Sequence, residues 1–235
     1  MTARQLAAAV ALLAAFATNA RAETYPSRSV TILTPFAAGS VTDAAARLIA
    51  QSLQDTLGQP FVVENRAGAG GLLAASAVAR AQSDGYTLLL TTNSTHSAAN
   101  GLFKSVPYDP IKDFTPIARI GSFPSFVAVH PSLPINSMQE LVAYAKANPG
   151  KLSYGVGNST GQITGETIKK RTGIEVVRVN YRSNPAALTD LVAGHIQMMI
   201  PDYNTGLAQV KAKTIRPLAV LTKDYMTAPI EEISG

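Results

Sequence analysis

Three polar loops, two of which contain glycine, are the parts of this sequence that could do chemistry. Pro35–Asp43 (PFAAGSVTD), Thr91–Ser97 (TTNSTHS) and Gly155–Gly161 (GVGNSTG) each lie between an apolar run and a helical pattern. Glycine lets backbone approach a ligand closely, while hydroxyls and the free N–H groups of a helix start favour anions. The pattern therefore predicts a site for a small anion. For the first loop alone, a plain helix start with Thr42 or Asp43 as N-cap is the alternative.

The last of these loops also matches a catalytic motif. Gly157-Asn-Ser159-Thr-Gly161 has the G-x-S-x-G spacing of a nucleophile elbow, in the strand-turn-helix context that the motif needs. A hydrolase would also need an acid and a histidine downstream, and His195 is the one downstream histidine. It lies at the start of a predicted strand, whereas a catalytic histidine sits at the carboxyl end. A secreted serine hydrolase using Ser159 is therefore the less favoured alternative to an anion cradle or a plain glycine-rich turn.

Metal and cofactor chemistry have weak support in the sequence. The chain has no cysteine, and its three histidines, His96, His130 and His195, are not at metal-ligand spacing. Gly68–Gly71 resembles a dinucleotide-binding turn but lacks the third glycine at its required place, so it predicts only a tight helix entry. We expect no metal and no cofactor, and His96 is left as a candidate ligand contact.

The N-terminus has the features of an export signal. Arg4 precedes the apolar run LAAAVALLAAF, and Ala20-Arg-Ala22 is a small-x-small cleavage site. The apolar run is too short to span a bilayer. Residues 1–22 are therefore predicted to be a signal peptide, with cleavage after Ala22 and release into the periplasm.

The net charge of +5 falls when the two arginines of the signal are removed, and the chain has no basic cluster with interleaved aromatics. We expect a monomer that does not bind nucleic acid.

Strand and helix patterns alternate along most of the chain. Apolar residues recur every fourth position from Ala45 to Leu57 and predict one helix, which ends at Gly58. A capping box at Ser137 predicts the start of a second helix, and Pro185 predicts the start of a third. The predicted strands are Ser29–Thr34, Phe61–Glu64, Tyr86–Thr91, Ser125–Val129, Leu152–Val156, Val176–Asn180, Ile196–Ile200 and Leu218–Leu221. This alternation predicts an α/β fold with mostly parallel strands.

An irregular segment divides the chain into two units. Residues 106–124 (VPYDPIKDFTPIARIGSFP) carry four prolines and no helical period. We interpret them as a crossing between two α/β lobes, residues 23–122 and residues 123–222.

Several runs of the sequence together resemble one known family. They are YPSRSVTILTPFAAGSVTDAAARLIAQSL, LGQPFVVENRAGAGG, DGYTLLL, PYDPIKDFTPIARI, ELVAYAKANPGKLSYG, VNYRSNPAALTDLVAGHIQ and IRPLAVLT. In this order they are similar to the periplasmic receptors of tripartite tricarboxylate transporters, the Bug or TctC-like solute-binding family. The resemblance implies a two-lobed Venus-flytrap fold that holds a small carboxylate between two strand-helix loops, partly through ordered water. It also implies delivery of that ligand to the membrane subunits of a transporter, and no catalysis.

The resemblance also implies which residues line the site. Those of the first lobe are Ala38, Gly39, Ser40, Asp43, Asn93 and Thr95, and those of the second lobe are Gly157, Asn158, Ser159, Thr160 and Asp202. The sequence departs from the family pattern at three places. Ser40 and Ser183 stand where glycine is usual, and Pro201 stands where the family has an aspartate, with Asp202 one place later.

The resemblance implies a longer protein than this chain. Members continue beyond this point, with a later part that returns to the first lobe. Residues 223–235 are therefore expected to be a shortened tail leading back to that lobe, which would be incomplete. A fragment that binds no solute is a further alternative.

Overall fold

A computed structural model of the protein describes residues 24–222. The predicted signal peptide, its cleavage site and the tail 223–235 lie outside these residues. The elements of the first lobe are β1 (Val30–Thr34), α1 (Val41–Leu57), β2 (Phe61–Asn65), a 3-10 turn (Ala69–Gly71), α2 (Leu72–Ala79), β3 (Thr87–Leu89) and α3 (Ala99–Leu102). Across 24–222, no helix is both long and apolar enough to cross a membrane.

The second lobe repeats the alternation of strands and helices. Its elements are β4 (Phe126–Val129), α4 (Met138–Ala147), β5 (Leu152–Val156), α5 (Ser159–Thr172), β6 (Val176–Asn180), α6 (Asn184–Val192), β7 (Met198–Met199), α7 (Tyr203–Lys211) and β8 (Arg216–Val220). Residues 106–124 contain neither helix nor strand, as their prolines predicted. They carry the chain from the sheet of the first lobe to β4.

The first lobe is built on a three-stranded parallel sheet in the order β2-β1-β3. Val30 and Ile32 of β1 pack against Ala46 and Ala50 of α1 in its core. The predicted apolar stripe located this helix correctly; its member Leu53 packs against this core, while Leu57 at the end of the stripe is exposed. α1 ends where predicted, because Gly58 adopts a left-handed conformation with φ of 72° and caps the last turn.

The second lobe has a five-stranded sheet in the order β6-β5-β7-β4-β8. β5 runs parallel to β6 and β7, so the prediction of mostly parallel strands is confirmed, while β4 runs antiparallel to β7 and β8. The reversal has a simple cause. The carboxyl ends of the parallel strands face the first lobe, so a strand entering from that lobe has to begin at this edge and run away from it.

The predicted strands exist, but two are shorter than the sequence suggested. Ile196–Ile200 contributes only Met198–Met199 to the ladder, and Tyr86–Thr91 contributes only Thr87–Leu89. Gln197 shows why, since its N–H and C=O bond to Ser153 and His130 while its side chain also bonds to Ser153. Side-chain and loop hydrogen bonds thus replace regular pairing at this strand end.

Candidate ligand-binding site

A cavity of about 340 Å³ lies between the two lobes. The first lobe and the crossing segment line it with Phe36, Ser40, Val41, Thr42, Thr91, Thr92, Asn93, Ser94, Gly121, Ser122 and Phe123. The second lobe and its entry strand contribute Ser125, Gly157, Asn158, Thr160, Asn184 and Asp202. The volume is typical of a site for a small molecule.

In the first lobe, the start of α1 faces this cavity. Ser40 is the N-cap, and its Oγ accepts a hydrogen bond from the Asp43 N–H at 3.3 Å. The interpretation of Thr42 or Asp43 as N-cap was therefore wrong. Gly39 makes the turn possible by adopting a φ of 79°. Among the described residues, the N–H groups of Val41 and Thr42 have no hydrogen-bond partner, as expected for the first turn of a helix.

Asp43 holds this loop together and does not line the cavity. Its carboxylate accepts hydrogen bonds from the Gly39 N–H at 3.0 Å and the Asn65 amide at 3.0 Å, and it forms an ion pair with Arg47 at 3.0 Å. Burial raises the pKa of Asp43, but the hydrogen bonds from Arg47, Gly39 and Asn65 outweigh it and lower the pKa overall. Asn65 also donates to Thr34 Oγ1 and so ties the loop to β1.

Three helices of the second lobe begin at the cavity. Asn158, Ser183 and Asp202 are the N-caps of α5, α6 and α7, and the side chains of Asn158 and Asp202 each accept a first-turn N–H. Gly157 allows the starts of α5 and α6 to touch, since a Cβ there would collide with backbone atoms of Ser183 and Asn184. The resulting arrangement concentrates the positive ends of three helix dipoles on one wall.

The loop Thr91–Ser97 connects the two lobes directly. The hydroxyls of Ser94 and Ser159 are 2.8 Å apart and both side chains are buried. The Ser159 N–H also donates to Ser94 Oγ at 3.3 Å, and Asn93 Nδ2 donates to Thr160 Oγ1 at 3.5 Å. These bonds join the end of one sheet to the start of α5 in the other lobe.

The lining of the cavity carries one formal charge. Its polar groups are hydroxyls, amides and backbone groups, and Asp202 is the only ionisable side chain among the described lining residues. A bound anion would therefore be held by helix N-termini and hydroxyl donors instead of by a lysine or an arginine.

The structure brings together part of the predicted set of site residues. Those that line the cavity are Ser40, Asn93, Gly157, Asn158, Thr160 and Asp202. The residues Ala38, Gly39, Asp43, Thr95 and Ser159 are not among those that line it. Thr95 is fully buried, and its carbonyl accepts from Tyr108 Oη at 2.7 Å. The Ser159 hydroxyl is bonded to that of Ser94.

Sequence reasoning missed several lining residues. Thr42, Thr91 and Thr92 lie within the recognised loops, so the motif itself was a sufficient signal. Phe123 comes from the crossing segment and Asn184 from the start of α6. No local pattern marks these two, because they reach the cavity only through the arrangement of the lobes.

The geometry around Ser159 differs from that of a catalytic triad. The described partner of its hydroxyl is Ser94, while His195 lies at the amino end of β7, with its Nδ1 3.4 Å from Asp190 Oδ1. The cavity lies at the opposite, carboxyl end. His96 packs on the ring of Phe114, and burial lowers its pKa. Residues 24–222 contain no group of three or more acidic, histidine or cysteine side chains that could hold a metal ion.

Two lobes joined by a crossing segment, with a polar cavity between them, define a two-lobed solute-binding protein. A family model for the tripartite tricarboxylate transporter family receptor, TctC, matches residues 45–231. The chain belongs to this periplasmic solute-binding family, as its motifs predicted.

Individual relatives agree with this assignment. Protein BugT of Bordetella pertussis is 36% identical over 217 residues, which cover 91% of this chain and 67% of BugT. The structure of R. palustris Rpa4515 with adipate is 39% identical with a TM-score of 0.82, covering 85% of this chain and 68% of that one. The periplasmic binding protein BugD is 31% identical with a TM-score of 0.79, covering 85% and 67%. The chain thus spans about two thirds of the length of these relatives.

Proposed function

We propose that this chain is a periplasmic receptor that captures a small carboxylate between its two lobes. The observation that carries the proposal is the convergence of helix N-termini from both lobes on one cavity. Val41 and Thr42 contribute free N–H groups from one side, and Thr160 contributes its N–H and hydroxyl from the other. Such donors stabilise a carboxylate without a counter-charge. Adipate bound to the relative Rpa4515 is a ligand of this class.

Capture would proceed by closure of the lobes on the ligand. The lobes are linked covalently by the crossing segment, and Leu221 at the end of β8 bonds to Ser125 beside it. The bonds of Asn93 and Ser94 to α5 form only when the lobes are together. A ligand that contacts both helix starts would therefore favour the closed arrangement.

We also propose the cellular role that family membership suggests. The protein would be exported by residues 1–22, act as a monomer in the periplasm and deliver its ligand to membrane subunits of a tripartite tricarboxylate-type transporter. Cell fractionation followed by N-terminal sequencing tests the first step. A mature N-terminus at Glu23 in the periplasmic fraction is expected, and intact Met1 in the cytosol would contradict it.

We propose binding and not hydrolysis as the role of the G-x-S-x-G loop. The Ser159 hydroxyl is buried and bonded to Ser94, and Ser159 is not among the residues that line the cavity. A fluorophosphonate probe should therefore not label the purified protein. Covalent labelling at Ser159, lost in Ser159→Ala, would favour the hydrolase.

The ligand class can be tested without knowing the ligand. Native mass spectrometry of the purified protein should reveal a co-purified small acid. A thermal-shift screen should show stabilisation by mono- or dicarboxylic acids, because a ligand of the folded state raises the unfolding temperature. Sugars and cationic amines serve as controls. Stabilisation by the controls and by no acid would contradict the proposal, and a complete lack of response would favour a fragment that binds no solute.

A further inference from the structure

One side chain outside the cavity holds both ends of the loop that forms its first-lobe wall. Asn65 is the last residue of β2. Its Nδ2 donates to Thr34 Oγ1 at 2.8 Å, to the Phe36 carbonyl at 3.0 Å and to Asp43 Oδ1 at 3.0 Å. We propose that Asn65 is a positioning residue for anion binding, which orients the start of α1 so that its free N–H groups face the ligand. The inference rests on the proposed function and adds a residue that acts on the ligand only through this loop.

The sheet fixes where this amide lies. Asn65 is opposite Thr34 in the parallel ladder of β1 and β2, and the N–H of the next residue donates to the Thr34 carbonyl at 2.9 Å. Asn65 is therefore held at the carboxyl end of both strands, where the loop leaves β1. Its amide contacts the chain at Phe36 and again at Asp43, in the first turn of α1. It thus bridges residues 35–40, the whole connection between the strand and the helix.

The same contacts fix the orientation of the amide. The reverse orientation would bring the Asn65 oxygen against the Phe36 carbonyl and the Asp43 carboxylate. The Thr34 hydroxyl uses its own proton for the Phe36 carbonyl, at 3.4 Å, and is therefore an acceptor toward the amide. Asn65 Oδ1 accepts from Arg47 at 3.5 Å. An amide meets both demands, because it has two donors and an acceptor.

Asn65 is also suited to this position by its lack of charge. Asp43 places a buried carboxylate directly after the free N–H groups of Val41 and Thr42. Arg47 pairs with it at 3.0 Å, so these two charges compensate each other. A further charge at position 65 would break the balance. Asn65 supplies a hydrogen bond to the carboxylate without adding one, and the positive end of the helix dipole stays available to a bound anion.

Asn65→Ala separates ligand binding from folding. The variant should bind the tightest-binding acid of the screen at least about 10-fold more weakly in calorimetry, because the loop loses its bonds to the amide, one of them to a carboxylate. Asn148→Ala is the matched control. The Asn148 amide donates to the Tyr144 carbonyl at 3.0 Å at the end of α4, and Asn148 is not among the lining residues. This variant should lower the unfolding temperature and leave the dissociation constant unchanged.

Asn65→Asp should give a pH dependence that a merely structural role would not produce. It keeps the shape of the side chain but sets a second carboxyl group against that of Asp43, and such a pair shares a proton with a raised pKa. The protonated pair restores one hydrogen bond, and the ionised pair repels. The ratio of the dissociation constants of Asn65→Asp and wild type should therefore rise several-fold from about pH 5 to about pH 8, and ionisation of the ligand cancels in this ratio. The ratio for Asn148→Asp should stay constant.

The ligand-free protein provides an independent measurement. Asn65→Ala should speed amide hydrogen exchange at Gly39, whose N–H donates to the Asp43 carboxylate, and leave exchange in α4 unchanged. Wild-type affinity in folded Asn65→Ala, or unchanged exchange at Gly39, would refute the positioning role while the carboxylate receptor stands. An equal loss of affinity in Asn148→Ala would also refute it. If no acid binds the wild-type protein, the proposed function fails and the positioning role fails with it.

Discussion

Replacing Ser159 by alanine should weaken ligand binding, although this side chain does not line the cavity. Its hydroxyl lies 2.8 Å from that of Ser94 in the other lobe, and the two residues are 6% and 2% exposed. In an open protein both hydroxyls would be hydrated, so the bond belongs to the closed arrangement. Ser159→Ala removes it without touching the ligand.

The size of the effect follows from the contacts that remain. Ser94 Oγ keeps the hydrogen bond from the Ser159 N–H at 3.3 Å, so its hydroxyl is only partly orphaned. The loss should be about 1–2 kcal/mol, below the upper limit for a fully unsatisfied buried group. If only the closed protein binds, the dissociation constant should rise about 5- to 30-fold.

Calorimetry with the tightest-binding acid from the screen measures this change, and small-angle scattering with and without ligand follows closure. Ser153→Ala is the matched control, because the Ser153 hydroxyl donates to Gln197 within the second lobe. It should lower the unfolding temperature and leave affinity unchanged. The double variant Ser94→Ala with Ser159→Ala should show a coupling of about 0.5 kcal/mol or more. Wild-type affinity in Ser159→Ala, together with additive single effects, would refute a role for this bond in closure.

Three further predictions concern single positions. The pKa of Asp43 is lowered in the folded protein, so its contribution to stability is present above the ordinary value of about 3.9 and is lost as the pH falls through the lower folded value. The difference in free energy of unfolding between wild type and Asp43→Asn, measured in urea, should therefore be largest near neutral pH and shrink in acid. A difference that stays constant with pH would contradict this. Gly157→Ala should cost about 1–3 kcal/mol of stability and abolish binding, because the added Cβ forces α5 and α6 apart. Gly101→Ala is the control, because a Cβ at that position meets no neighbouring atom. Normal binding by the Gly157 variant would exclude the close contact between the two helices. Gly58→Ala should lower the free energy of unfolding by about 1 kcal/mol, because alanine is strained at a φ of 72°. An unchanged midpoint of urea unfolding would show that α1 does not end in a left-handed residue at this position.

The ends of helices and the positions of strands could be predicted from the sequence because they depend mainly on neighbouring residues. The end of α1 depends on Gly58 and the residues before it, and the start of α4 depends on Ser137, whose Oγ accepts from the Glu140 N–H at 3.1 Å. Apolar runs located the strands to within a few residues, and the prolines of residues 106–124 identified the crossing segment. The family motifs then connected these elements to a two-lobed fold, which the comparisons confirm.

The composition of the site depended on contacts between distant parts of the chain. Ser94 and Ser159 are 65 positions apart, and only the packing of the lobes brings their hydroxyls together. Asp43 was a plausible ligand group by type and spacing, but Arg47 and Asn65 occupy its carboxylate. The sequence by itself therefore determined which loops have the chemistry to bind an anion. Tertiary structure decided which of their side chains are free to do so, because a polar group inside a protein bonds to whichever partner the fold brings within reach.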